Sequence, residues 1–152
     1  MAEKKNIIQF EPEDFYHAVV DQMLFGVGLS VNHWARTKAD AGKLVQQIEK
    51  GEIVPDVAII DTMLEKNHHE GRVVAQKLRE ISPKTKLIAY TIVEQEPPSE
   101  DITEDWKQDH DWADYVAVKS NRNPAQTIAK GLSQIIGVDL DEKQKDPEFE
   151  AR

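Results

Sequence analysis

The chain has 152 residues, and its 28 acidic against 19 basic side chains give a formal net charge of -9. This length fits one domain, which can bury roughly two thirds of its unfolded surface around a single hydrophobic core. The absence of cysteine excludes disulfides, thiolate metal sites and a cysteine nucleophile. No apolar run approaches about 18 residues, and the charged start does not resemble a signal peptide. We therefore expect a cytoplasmic chain that neither enters a membrane nor binds duplex nucleic acid, whose phosphates would repel it.

The first half of the chain alternates strand-like apolar runs with helical patterns. Leu29, Val31 and His33 alternate with polar neighbours, which is typical of a strand with one buried face. Thr37 and Asp40 have the spacing of a capping box, which satisfies the first backbone groups of a helix. The elements predicted here, in chain order, are a strand at 6–10, a helix from Pro12 to Gly26, a strand at 29–33, a helix from Thr37 to Gly51 and a strand at 57–60.

The second half continues this alternation and is least regular between residues 92 and 113. Its last helix is the best defined, because Asn123 suits the cap, Pro124 the first helical position and Gly137 the stop. The elements predicted here are a helix at 71–81, a strand at 87–90, a helix within 99–113, a strand at 115–118 and a helix at 124–136.

Strands that alternate with helices in this way indicate βαβ units, a parallel sheet and helices on both of its faces. We predict an α/β, doubly wound, flavodoxin-like sandwich with five strands in the order 2-1-3-4-5. The folded domain is assigned to residues 1–137. Residues 138–152 are charged and lack periodicity, so we interpret them as a disordered tail.

Polar side chains follow four of the predicted strands: Glu11, Asp61, Thr91 and Lys119. In an open α/β sheet the ligand site lies beyond the carboxyl ends of the strands, so we expect these residues to converge there. Two neighbouring carboxylates repel and call for a cation, and Mg²⁺ prefers oxygen ligands. Asp61 would then act as a nucleophile on phosphorus, with Lys119 neutralising phosphoryl charge and Thr91 donating to a phosphoryl oxygen.

Three segments carry a family resemblance: PDVAIIDTML around Asp61, LIAYT ending at Thr91, and DYVAVKS containing Lys119. Over residues 5–136 the chain resembles the receiver domain of two-component response regulators. The resemblance implies that Asp61 accepts a phosphoryl group from a histidine kinase or a phosphotransfer protein. It also implies that Thr91 is the switch hydroxyl and Lys119 the phosphoryl-binding lysine. We expect a stand-alone receiver domain that signals through protein contacts and is not an enzyme.

The same resemblance implies a Mg²⁺ site. Its ligands would be Glu11, Asp61 and the backbone carbonyl of Met63, with Glu13 as a further candidate. Members of the family usually carry adjacent acids after the first strand, whereas here Pro12 occupies the second place. Proline offers no carboxylate, so the magnesium site would lack one of its usual ligands.

Other positions also depart from the family pattern. Val116 lies three residues before the lysine, where an aromatic residue is usual, and Tyr115 should point to the opposite face of the strand. Ser120 replaces the proline that usually follows the lysine, and Ile92 replaces a small residue after the switch hydroxyl. With the missing acid, these departures favour an alternative function, a pseudo-receiver that binds a partner without phosphorylation.

Two enzymatic alternatives have less support from the residues. A phosphohydrolase of haloacid-dehalogenase type would use Asp61 as its nucleophile but usually carries a second acid at the place of Met63. A flavin or dinucleotide site would need glycines after the first strand, where none occurs. His68 and His69 are adjacent and lack further ligand spacing, which favours a solvated loop over a metal site.

The segment 92–113 carries eight acids and a single base, Lys107. One interpretation is a solvated helix. The other is a docking surface for a basic output protein, with Trp106 and Trp112 as apolar anchors.

Overall fold

Short strands alternate with helices along the chain in the computed structural model, which describes residues 5–62, 70–91, 111–119 and 124–138. The elements are, in chain order, β1 (Ile7–Phe10), α1 (Asp14–Phe25), β2 (His33–Ala35), α2 (Lys38–Glu49), β3 (Val57–Ile60), α3 (Glu70–Ile81), β4 (Lys86–Thr91), β5 (Tyr115–Val118) and α4 (Pro124–Ile136). Within the described residues the strands form a five-stranded sheet of order β2-β1-β3-β4-β5, and all its neighbours run parallel. This confirms the predicted α/β, flavodoxin-like fold.

Helices cover both faces of the sheet because its central strands carry apolar side chains on both sides. Ile8 and Ile60 belong to a buried cluster that includes the apolar stripes of α2 and α3. We call the side of the sheet that this cluster covers the α2/α3 face. Ile7 and Ile59 belong to a second cluster with the stripes of α1 and α4, the α1/α4 face. The sheet is therefore doubly wound, and its carboxyl edge is framed by helix starts.

The second strand lies later in the chain than the alternation of Leu29 and Val31 predicts, since it covers His33–Ala35. These two residues are half-buried in the connection after α1 and pack on the α1/α4 face. Their backbones are held by α1 instead of by a strand: Leu29 N–H donates to the Leu24 carbonyl (2.9 Å) and Val31 N–H to Asp21 Oδ1 (3.0 Å). The alternation of apolar and polar residues thus reflects packing on the α1/α4 face and not strand pairing. The predicted position of the second strand, 29–33, was wrong by several residues.

The helix ends follow local capping chemistry. α1 begins at Asp14, two residues after the predicted start. The predicted cap of α2 is present, because the Asp40 N–H donates to Thr37 Oγ1 at 3.1 Å. Gly137 follows α4 with φ of 74°, a left-handed conformation that suits glycine and ends the helix. Among the described residues, no helix combines the length and apolar character needed to cross a bilayer.

Most of the helix predicted within 99–113, and the predicted tail after residue 138, lie outside the described residues. Trp112 is described, and it corrects one prediction. Its side chain is buried in the cluster of the α2/α3 face, and its carbonyl accepts from Arg79 Nη2 at 3.0 Å. A buried core ring is not available as an anchor for an output protein, so Trp112 is removed from the predicted docking surface.

Candidate functional site

The predicted site residues continue the backbone ladder of the sheet at its carboxyl edge. The Asp61 N–H donates to the carbonyl of Phe10 (2.9 Å), and the Lys119 N–H donates to the carbonyl of Thr91 (2.8 Å). Glu11 directly follows β1 and is bound to β2 through its own N–H (2.9 Å). The parallel register therefore brings residues that are far apart in the sequence to one edge, as expected for this type of sheet.

Glu11, Asp61 and Lys119 meet through their side chains. Lys119 Nζ donates to Asp61 Oδ2 at 2.8 Å and lies 2.8 Å from Glu11 Oε1. The side chains of Lys119 and Glu11 are each only 1% exposed, whereas that of Asp61 is 11% exposed. The ammonium thus bridges two carboxylates in a nearly dry environment, and Asp61 is the member that solvent reaches.

The other predicted site residues lie around this cluster or outside the described part of the chain. Thr91 is buried at the end of β4, next to Lys119 in the ladder. Glu13 is exposed, and its N–H donates to Glu11 Oε2 at 3.2 Å. Met63, with the histidines of the same loop, falls outside the described residues.

Two tyrosines complete the surroundings of the ammonium. Lys119 Nζ lies 4.3 Å from the ring centroid of Tyr16 and 5.4 Å from that of Tyr90. The two rings meet edge to face, with centroids 5.7 Å apart. Aromatic faces attract a desolvated cation, so both tyrosines stabilise the charged lysine.

Sequence reasoning did not identify Tyr16 or Tyr90 as a site residue. A signal existed for Tyr90, which directly precedes the predicted switch hydroxyl. It also links the site to α4, because its hydroxyl donates to the carbonyl of Pro124 at 2.6 Å.

Burial and charge set the protonation of the cluster. Burial raises the pKa of Glu11 to about 7, although Lys119 acts in the opposite direction; the nearby charge of Asp61 adds to the rise. Burial alone would lower the pKa of Lys119, but the two carboxylates outweigh it and raise that pKa, so the amine stays charged. Burial also raises the pKa of Tyr16, which therefore stays neutral.

A second set of contacts fixes the backbone of Glu11. Trp34 on β2 donates from Nε1 to the Glu11 carbonyl at 2.8 Å. The Trp34 ring stacks on His17 with centroids 3.8 Å apart, and the Arg36 guanidinium lies 4.8 Å from the same ring. His17 Nδ1 in turn pairs with Gln9 Oε1 at 3.0 Å. Glu11 is thus positioned by α1 and β2 as well as by its own strand.

The side chains of β5, the strand that Lys119 follows, point in the directions predicted from the sequence. Val116 packs against the α2/α3 face and Tyr115 against the α1/α4 face. No aromatic ring therefore occupies the place three residues before Lys119, and the ring next to it faces away from that side of the sheet.

The described residues, which do not include Met63, do not fit the expected Mg²⁺ site. In the described part of the chain the buried carboxylates are those of Glu11 and Asp61, and no group of three or more potential ligand side chains occurs there. Pro12 has no ligand atom in its side chain. Glu11 contacts an ammonium with one oxygen and a backbone N–H with the other. Mg²⁺ usually keeps several waters and binds through one or two free carboxylates, whereas both carboxylates here are paired with the Lys119 ammonium.

No protein-family model matches the sequence, and no curated protein matches it. Solved structures do match. A response regulator from Thermotoga maritima superposes with a TM-score of 0.64 at 15% identity, covering 90% of this chain and 100% of that chain. A CheY-like response regulator receiver domain from Methanospirillum hungatei gives a TM-score of 0.61 at 21% identity, covering 95% and 99% respectively.

The signal receiver domain of a modulated diguanylate cyclase from Desulfovibrio desulfuricans is similar as well. It gives a TM-score of 0.62 at 17% identity, covering 94% of this chain and 98% of that chain. At these identities the likeness establishes the fold. The chain has the fold of response-regulator receiver domains, as its sequence motifs predicted.

Proposed function

We propose that the chain is a response-regulator receiver domain that accepts a phosphoryl group on Asp61. The donor would be a histidine kinase or a phosphotransfer protein, and the output would be altered protein contacts in the cytoplasm. The observation that carries this proposal is the 2.8 Å contact between Lys119 Nζ and Asp61 Oδ2 at the carboxyl edge of a sheet with receiver topology. The domain is a signalling module and not an enzyme with turnover.

The proposed chemistry assigns one step to each residue. An oxygen of Asp61 forms a bond to phosphorus while the bond from phosphorus to the donor histidine nitrogen breaks, and its electron pair leaves with that nitrogen. Lys119 transfers its hydrogen bond from the carboxylate to a phosphoryl oxygen and neutralises its charge. The Thr91 hydroxyl donates to a second phosphoryl oxygen. The exposure of Asp61 supports its role, since Glu11 and Lys119 are almost fully buried.

Intact-mass measurement tests the acceptor. The protein is incubated with acetyl phosphate, with and without Mg²⁺, beside an ordinary receiver domain as a positive control. We expect the mass of one phosphoryl group on the wild type and on Glu52→Gln, a matched change of an exposed acid that precedes β3. Asp61→Asn should carry none. An unlabelled wild type, under conditions that label the ordinary receiver, rejects the proposal.

A second candidate function is the pseudo-receiver, in which the fold binds a partner without phosphorylation. The observation that favours it is the ion cluster itself, because Lys119 already has two carboxylate partners and Pro12 replaces an acid. In this case the mass experiment gives no adduct. Binding of the output protein would then be the same for the wild type and for Asp61→Asn, whether or not phosphodonor is added.

The output surface proposed for either function is the acidic segment 92–113, most of which lies outside the described residues. Its eight acids would speed the approach of a basic protein through long-range attraction. Trp106 remains a candidate anchor, whereas Trp112 does not.

A further inference from the structure

Three of the carboxylate oxygens that a divalent cation could use, two of Glu11 and one of Asp61, already have a contact within the protein. Glu11 Oε1 lies 2.8 Å from Lys119 Nζ, and Glu11 Oε2 accepts from the Glu13 N–H at 3.2 Å. Asp61 Oδ2 accepts from the same ammonium at 2.8 Å. A Mg²⁺ ion on these oxygens would lie next to a buried positive charge, which repels it. Metal binding through Glu11 Oε1 or Asp61 Oδ2 would therefore require Lys119 to leave the position in which it is held.

The position that would supply a further carboxylate is occupied by Pro12. Its side chain carries no oxygen, and the next acid, Glu13, is exposed and starts the turn into α1. The loss of a ligand matters for Mg²⁺, because it binds through charged oxygens and gives up its waters reluctantly.

The surroundings of Lys119 suit an organic cation better than a hydrated metal ion. The ammonium lies against the faces of Tyr16 and Tyr90 and is 1% exposed. A desolvated ammonium gains from aromatic faces. A magnesium ion keeps several waters, and the aromatic faces of Tyr16 and Tyr90 are poorer hydrogen-bond partners for those waters than oxygen ligands are.

We propose that the Lys119 ammonium is the resident cation of this site and that the chain binds no Mg²⁺ there. In this respect it would differ from the receiver domains that it resembles. Lys119 supplies the positive charge for both carboxylates, and Pro12 keeps the site one ligand short. The inference concerns metal binding alone, and it holds whether or not Asp61 is phosphorylated.

Calorimetric titration with MgCl₂ at constant ionic strength tests the inference on the whole chain. Four proteins are compared: the wild type, Pro12→Asp, Pro12→Asn and Lys119→Met. Pro12→Asp restores the missing carboxylate, and Pro12→Asn is its uncharged match of nearly equal size. We expect no saturable heat for the wild type and for Pro12→Asn. Pro12→Asp should show saturable binding that is at least about tenfold tighter than any binding by the wild type, because the number of charged ligands largely sets the affinity for a divalent cation.

Lys119→Met removes the ammonium and keeps a long apolar side chain. We expect Mg²⁺ to raise the melting temperature of this variant and to leave that of the wild type unchanged. Saturable binding by the wild type, equal to that of Pro12→Asp, overturns the inference. So does a Pro12→Asp protein that binds no better than Pro12→Asn. If Lys119→Met does not fold, the proline pair decides the question alone.

The outcome is distinguishable from that of the phosphorylation experiment. Labelling of Asp61 to the same extent with and without Mg²⁺ supports both proposals. Mg²⁺ binding by the wild type, together with labelling, overturns only the inference. A wild type that neither binds Mg²⁺ nor accepts a phosphoryl group overturns only the acceptor proposal and leaves Lys119 as the resident cation.

Discussion

Glu11 is the residue at which burial and charge compete most directly. Its side chain is 1% exposed, and its carboxylate contacts the ammonium of Lys119 while lying near Asp61 and Tyr16. The pKa of Glu11 is raised from 4.5 to about 7, which means that burial outweighs the attraction of the lysine. The folded chain therefore holds a proton that the unfolded chain releases at lower pH.

This proton makes stability depend on pH with a defined sign. Between pH 4.5 and about 7 the folded state binds more protons at Glu11 than the unfolded state does. The free energy of unfolding should therefore fall as pH rises through that window, by about 3 kcal/mol for this one group. Glu11→Gln cannot titrate and should lack this fall. Urea unfolding of both proteins across the window measures the difference.

The comparison with Glu11→Gln also removes other titrations. Burial lowers the pKa of His17 below its ordinary value of 6.5. Protonation of His17 therefore lowers the stability of the folded state as the pH falls below 6.5, which is opposite to the effect of Glu11. Both proteins contain this histidine, so its effect cancels in the difference. A difference between wild type and variant that is constant from pH 4.5 to 7 would show that Glu11 is ionised throughout.

At the residue scale, the sequence was sufficient to predict the site residues that follow strands. It was insufficient to predict the residues that reach the site through the packing of neighbouring elements. Glu11, Asp61 and Lys119 follow apolar runs, and parallel strands bring their ends to one edge by geometry alone. Tyr16 and Trp34 reach the site through the packing of α1 and of the edge strand. Such contacts depend on helix position and on strand register, which periodicity does not specify.

At the element scale, α3 approaches the end of β3 so closely that only glycine fits at the contact. The Gly71 N–H donates to the carbonyl of Thr62 at 2.9 Å. A Cβ on Gly71 would collide with the carbonyl oxygen of Asp61 and would lie 2.7 Å from Thr62 Cα. These are backbone atoms of the segment that carries the proposed acceptor, so they cannot move aside without moving Asp61.

Gly71→Ala should therefore lower the free energy of unfolding by about 1–3 kcal/mol, as overpacking against a fixed backbone does. The matched control is Gly42→Ala in α2. A Cβ there meets no atom within 4 Å, and alanine is the better helix former, so we expect a gain of about 1 kcal/mol. Chemical denaturation of the three proteins gives both values. Equal effects of the two substitutions would mean that α3 is not tightly held against β3.

The elements themselves were predicted well where two signals agreed. Thr37 begins α2 and Gly137 ends α4, because a cap or stop residue there adjoins a helical stripe. The strand predicted at 29–33 rested on alternation alone. Half-buried residues in a connection that lies along a helix produce the same alternation, and the paired strand begins only at His33.

At the scale of the whole molecule, the chain order of strands and helices was enough to predict the strand order of the sheet. The two buried clusters share the same strands, since alternate residues of β1, β3 and β4 point to opposite faces. A sheet buried on both sides couples the helices above it to those below. We therefore expect the described elements to unfold together.

Truncation of one core leucine on each face tests this coupling. Leu44 of α2 is 5% exposed in the α2/α3 cluster, and Leu132 of α4 is fully buried in the α1/α4 cluster. Leu44→Ala and Leu132→Ala should each lower the free energy of unfolding by about 2–5 kcal/mol. The transitions followed by tryptophan fluorescence and by far-UV circular dichroism should coincide in each variant, with an unchanged dependence on urea concentration.

Exposed positions on the same two helices provide the controls. Gln46→Ala in α2 and Gln134→Ala in α4 remove side chains that lie in solvent, so we expect changes within about 0.5 kcal/mol. Transitions that separate in Leu44→Ala but coincide in Leu132→Ala would mean that the α2/α3 face unfolds on its own. Because Asp61 and Lys119 are held by strands that both faces bury, such separation would also break the ion cluster before the rest of the sheet unfolds.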